Sequence, residues 1–179
     1  MADNSAALER GLEKAKGIIL KRMTDGLIVA AHNFCADAFR AYESPLMGFT
    51  GNTWTGTAVG AYVSGKLIYY TTTKAVAGMK SAKRVKLTKG EVAYLKEDYL
   101  GRERTFVGMT ETDKRLSEYD AIEFLKSHRP TGKYALTVVN GSEYANYIEN
   151  QMSGNVLMKT YFWSTELLNV SFERVKLNV

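Results

Sequence analysis

The chain has 179 residues, of which 45% are hydrophobic and 11% aromatic, enough apolar material for one folded domain and too much for a disordered chain. One cysteine, Cys35, excludes an internal disulfide framework, and no apolar run reaches the length of a membrane span or the pattern of a signal peptide. The net charge of +5 is uneven: Thr73–Gly90 holds Lys74, Lys80, Lys83, Arg84, Lys86 and Lys89 with no acid, a local +6 that leaves −1 for the remainder.

In chain order, the first predicted element is a helix from Ser5 to about Ala41. Leu8, Leu12, Ala15, Ile19, Met23, Leu27, Ala30, Phe34 and Ala38 recur at three- and four-residue steps and share one face, while Glu9, Lys14, Lys21 and Arg22 fall off it. Thr24-Asp25-Gly26 is the weak point, because glycine costs about 1 kcal/mol relative to alanine within a helix. The stripe stays in phase across it, so one helix is expected, straight or bent. Unbroken it spans about 55 Å at 1.5 Å per residue, longer than the core of a domain this size. Such an overhang calls for a partner, in the first instance another copy of the chain.

Pro45 and Gly48 end the helical region, and Thr50-Gly51-Asn52-Thr53 supplies turn chemistry. The spacing then predicts a hairpin within 50–72, turning at Ser64-Gly65, with Val59, Ala61 or Tyr62, Val63, Leu67, Tyr69 and Tyr70 as its alternating residues. Residues 73–91 read as a basic loop or extension, with Val92–Tyr99 and Arg104–Gly108 as two short strands beyond it. Thr112 or Asp113 is expected to cap a helix from Lys114 to Ser127, with Leu116, Tyr119 or Ile122, and Phe124 or Leu125 as its apolar side. His128-Arg129-Pro130 stops it. A strand is predicted over Tyr134–Asn140, a short helix over Ser142–Gln151, and a last strand over Val170–Leu177. Residues 156–168 fit helix and strand about equally. The predicted class is α+β, a single domain over 1–179, with a long N-terminal helix packed on a central antiparallel sheet and two or three shorter helices.

The residues offer little chemistry. His32 and His128 stand far apart, without the neighbours a closed metal site needs, so neither metal nor cofactor is expected. Cys35 lies three residues from His32 but is flanked by Phe34 and Ala36, as a small buried hydrophobe would be. Gly51-x-x-x-x-Gly56-Thr57 lacks the lysine of a phosphate-binding loop and follows a helix where a strand is required. Asp113, Glu118, Asp120 and Glu123 share one predicted helix, a solvated face rather than an acid–base pair. The tyrosines, including Tyr62, Tyr69, Tyr70, Tyr94, Tyr99, Tyr144, Tyr147 and Tyr161, suit packing and subunit contacts, or base stacking beside the lysines. The expectation is a protein without enzymatic activity or small-molecule substrate.

One ordered set of segments carries a likeness. The long helix is followed by Thr50-Gly51-Asn52 and the hairpin, and much later by Gly141-Ser142-Glu143-Tyr144-Ala145-Asn146-Tyr147-Ile148-Glu149. This order resembles the tail-completion or neck (head–tail connector) proteins of tailed bacteriophages. Two features depart from that family: the family's glycine soon after the glutamate gives way here to Asn150-Gln151-Met152-Ser153-Gly154, and the basic stretch exceeds a simple hairpin connection. The resemblance implies a virion structural protein, assembled in the bacterial host cytoplasm. It would form a homo-oligomeric ring against portal, connector and tail proteins, with non-specific contact to packaged DNA. The alternative reading of the same residues is a stand-alone nucleic-acid-binding module using Lys74, Lys80, Lys83, Arg84, Lys86 and Lys89.

Overall fold

The computed structural model describes residues 4–41, 52–78, 90, 92–95, 104–107, 116–142, 145, 168 and 171. Helix α1 runs unbroken over Ser5–Ala41, through Gly26. At the suspected break the Thr24 hydroxyl donates back to the Leu20 carbonyl at 2.9 Å, so this polar side chain is satisfied within the helix. The stripe, in phase on both sides, carries the helix across.

Strands β1 (Thr57–Val63) and β2 (Lys66–Thr72) form the predicted hairpin, and β5 (Tyr134–Asn140) pairs antiparallel on the other side of β1, giving the order β2-β1-β5. The two-residue turn holds Ser64 at φ 49° and Gly65 at φ 74°, the positive values that a type I′ connection requires. Between β1 and β2 the register slips: Ala61 faces Tyr69, whereas Tyr62 faces Leu67, so Ile68 is the extra residue of a β-bulge. The bulge sends Leu67 and Tyr69, two residues apart, to opposite faces of the sheet, where simple alternation would place them together.

Among the described residues, α1 packs on one face of the sheet, with Val76 and Leu168 beside it, and a second helix packs on the other. On one side Leu27, Ala30, Ala31, Phe34 and Cys35 of α1 pack on Val59 and Ala61, with Val63, Tyr69, Leu136 and Val138 at the margin. On the other, Ala121 and Leu125 of α4 (Ser117–Ser127) pack on Ala58 and Tyr62, with Leu67, Ala135 and Val139 around them. Tyr62 is fully buried and its hydroxyl donates to the Leu125 carbonyl at 2.7 Å, tying strand to helix. The predicted α+β class, with a long first helix on an antiparallel sheet and shorter helices, is the fold observed.

Three local predictions change. Asn52 and Thr53, expected to close a turn begun at Thr50, open a single helical turn, α2 (Asn52–Thr55). Thr73–Ala77, expected to open the basic loop, is helix α3: the Thr72 side chain accepts from the Ala75 N–H at 3.2 Å, and Gly78 closes it at φ 61°. In α4 the buried set is Ser117, Ala121 and Leu125, while Tyr119 and Phe124 are exposed. The small residues win the inner face because they let the helix approach closely. The predicted strand pair is present as β3 (Val92–Leu95) antiparallel to β4 (Arg104–Val107), forming a separate two-stranded sheet, and the rest of the two predicted ranges lies outside the described residues. The expected cap residues Thr112 and Asp113 and most of Ser142–Gln151 lie outside the described residues, as do the predicted strand Val170–Leu177 apart from Ser171 and the ambiguous stretch 156–168 apart from Leu168.

Candidate functional site

Three features stand out: a half-buried polar knot, an ion pair at the root of the basic segment, and two exposed apolar surfaces.

The knot forms where α2, the start of α4 and the end of β5 converge. No side chain at Leu116 caps α4; instead the Asn52 carboxamide oxygen, 65 residues away, accepts the Ser117 N–H at 3.0 Å, and the Ser117 hydroxyl donates to the Asn52 carbonyl. Asn140 donates to the Thr53 carbonyl at 3.0 Å and the Thr57 hydroxyl at 2.8 Å, and accepts the Ser142 N–H at 2.8 Å. The Thr53 and Ser142 hydroxyls lie 3.3 Å apart, and the Gly141 N–H donates to the Gly56 carbonyl at 3.1 Å. Both glycines are forced by closeness: a Cβ at Gly56 would lie 2.7 Å from Ser117, and one at Gly141 only 2.1 Å from the Ser117 carbonyl. The knot therefore joins residues 52–57 to residues 140–142, nearly ninety residues apart in sequence. Its polar atoms bond to one another, which makes it a structural joint.

Of the six basic residues Lys74, Lys80, Lys83, Arg84, Lys86 and Lys89, Lys74 falls among the described residues. Its ammonium pairs with Glu118 of α4 at 3.0 Å, while Thr72 donates to the other carboxylate oxygen at 3.2 Å. Lys74 thus anchors the root of the basic segment to α4. The five residues beyond it lie outside the described region.

The first exposed apolar surface is the N-terminal half of α1, where Leu8, Leu12 and Ile19 are 59–65% exposed. The second is the outer side of α4 with the neighbouring strand: Phe124, Tyr119, Tyr70 and Ile68 are all exposed, and Phe124 stacks on His128 with centroids 5.2 Å apart. Lys126 sits among them. Its hydrogen bond to Glu123, then the Glu123 charge, raise its pKa, with smaller contributions from Tyr70 and Tyr119. The signal for this surface was in the sequence, since Tyr119 and Phe124 are both apolar on a helix whose inner face needs only one residue per turn. What hid it was the choice between Tyr119 and Ile122, and between Phe124 and Leu125.

The potential nucleophile is inert. Cys35 is fully buried, its sulfur 3.7 Å from the Thr71 carbonyl and 3.8 Å from that of Thr57, and burial pushes the thiol from 9.0 up to about 12. Burial likewise raises the Tyr62 phenol, partly offset by Thr137 and Arg129. Among the described residues no group of His, Cys, Asp and Glu is placed to hold a metal ion, and no helix is long and apolar enough to cross a membrane. No family model, no curated protein and no solved structure matches the chain.

Proposed function

We propose that the chain is a non-enzymatic structural protein of a tailed-phage virion, a subunit of a ring in the head–tail connector or neck, or at the top of the tail. The observation that carries the reading is the uncovered half of α1. Eighteen residues, 5–22, project about 27 Å at 1.5 Å per residue, with their apolar stripe in solvent while the same stripe further along forms the core. A helix rarely holds such a stripe against water unless another chain covers it. The resemblance adds support on the sequence order alone, Thr50-Gly51-Asn52 before the hairpin and residues 141–149 long after it. Such a protein works by shape, presenting fixed surfaces to copies of itself and to the rings above and below. The basic segment, rooted by Lys74 on α4, would face packaged DNA or an acidic neighbouring ring.

The test is placement in a particle. Virions of a phage that encodes this chain should contain it in a fixed copy number at the head–tail junction, and particles lacking it should leave heads and tails unjoined. Absence of the chain from purified virions sinks the proposal. A nucleic-acid-binding module would instead bind DNA as the free protein, with a steep salt dependence that flattens when Lys80, Lys83 and Arg84 are neutralised.

A further inference from the structure

The two exposed apolar surfaces belong to elements on opposite faces of the sheet, so neither covers the other within one chain. We infer that they cover each other between chains: the α1 overhang of one subunit, through Leu8, Leu12 and Ile19, docks on the α4 face of the next, through Tyr119, Phe124 and Tyr70. The inference rests on the ring reading and gives its subunit contact.

Charge selects the partner. Residues 5–22 carry five cations and two carboxylates, net +3, whereas α4 carries Glu118, Asp120 and Glu123 against Lys126, net −2, reduced to −1 at the face by the Lys74–Glu118 ion pair. An overhang against a second overhang would bring two positive helices together, and two α4 faces would bring two negative ones together. Only the cross pairing is attractive in net charge, so a second copy supplies the complement that one copy lacks. The chemistry of the two sides also differs in a useful way. The overhang offers aliphatic side chains at three- and four-residue steps, and α4 offers broad rings whose faces accept them.

This contact uses different patches on the two subunits. It is head-to-tail, so each subunit added leaves one overhang and one α4 face open until rotation closes a ring. A dimer formed through like patches would stop at two chains. The α1–α4 contact therefore contains the geometry that a ring needs.

Mixing tests it. Leu12→Glu/Ile19→Glu disables the overhang and leaves α4 intact; Tyr119→Glu/Phe124→Glu does the reverse. Sedimentation should show the wild-type chain self-associating with concentration and each variant weakened roughly tenfold or more. An equimolar mixture should give a dimer of one chain of each kind, because a single intact overhang and a single intact face remain between them. Should the Phe124 variant fail to fold, Asp120→Lys/Glu123→Lys reverses the face charge without touching an aromatic residue. A second measurement uses cysteine exchange: Leu12→Cys in one chain and Phe124→Cys in another should form a mixed disulfide on oxidation, with buried Cys35 silent in both.

A face variant that self-associates as well as wild type would mean that overhangs pair with each other, and the inference falls. It falls equally if the mixture stays monomeric. A wild-type monomer that is nevertheless found at the head–tail junction overturns this contact while leaving the connector proposal in place. An oligomer built through α1 and α4 but absent from virions does the opposite.

Discussion

The two halves of α1 carry the same apolar period and have opposite fates. From Leu27 to Ala38 the stripe is buried against β1, with Leu27, Ala30, Phe34 and Ala38 almost wholly covered. From Leu8 to Ile19 it meets water. Periodicity therefore specifies which side of a helix is apolar and is silent on what covers that side. The difference follows from length: the sheet strands are seven residues long, about 23 Å at 3.3 Å per residue, and cannot flank a helix of 37 residues. One half is held by the fold and the other is available to assembly.

The sharpest way to break this contrast is a pair of matched truncations. Phe34→Ala should cost about 3–4 kcal/mol in urea unfolding, since it removes a buried ring between α1 and the sheet. Leu12→Ala should change the stability of the monomer by no more than about 0.5 kcal/mol while weakening self-association. Equal losses for the two would show the overhang to be part of the folding core.

The second comparison is between the apolar core and the polar knot that locks the strand ends. Gly141→Ala sets a methyl against the Ser117 carbonyl and should cost about 3 kcal/mol, and Asn52→Ala, which strips the remote cap from α4, about 2 kcal/mol. Thermal melts followed by circular dichroism suffice to read both. If Asn52→Ala melts like wild type, α4 does not need its cap from a distance.

How much of this was legible beforehand depends on the range of the interaction. The long helix, the hairpin with its Ser64-Gly65 turn and strand β5 were readable because each rests on a local pattern of apolar residues and turn chemistry. The bulge at Ile68 was not, since it depends on pairing, and neither was the inward choice of Ser117 and Ala121, which depends on Gly56 and Gly141 lying opposite. Helix α3 was hidden by its place at the start of the basic run, although Thr72 and Gly78, its two caps, were there to be read. Of the functional surfaces, the overhang followed from arithmetic on helix length, whereas the α4 face required knowing which side the sheet occupies.

The anchored half of α1 also carries an expected alkaline sensitivity, set by its buried cysteine. Folded Cys35 holds its proton up to about pH 12, whereas the unfolded thiol loses it near pH 9. The folded state therefore binds more protons between these values, and stability should fall as pH rises through them, by about 1.4 kcal/mol per unit once above pH 9. Below pH 9 the contribution is fully present. Comparing urea midpoints of wild type and Cys35→Ala at pH 8 and pH 10 isolates it: the variant should lose this part of the alkaline slope. An identical slope in both would place the titrating group elsewhere.

The smallest effect concerns the root of the basic segment. The Lys74–Glu118 pair is partly exposed, with side chains 32% and 19% accessible, so a double-mutant cycle on Lys74→Met and Glu118→Gln should give a coupling of only about 0.5–1 kcal/mol, shrinking as salt is added. Its value lies in the contrast with Lys80 and Lys83. A lysine paired to α4 must give up that pair before it can serve a phosphate. If the segment meets DNA in the particle, removing Lys80 and Lys83 should flatten the salt dependence of that contact more than removing Lys74 does. An equal flattening by Lys74→Met would mean that the ion pair with Glu118 opens when the segment engages, and that α4 then presents its full negative charge to the overhang of the adjoining subunit.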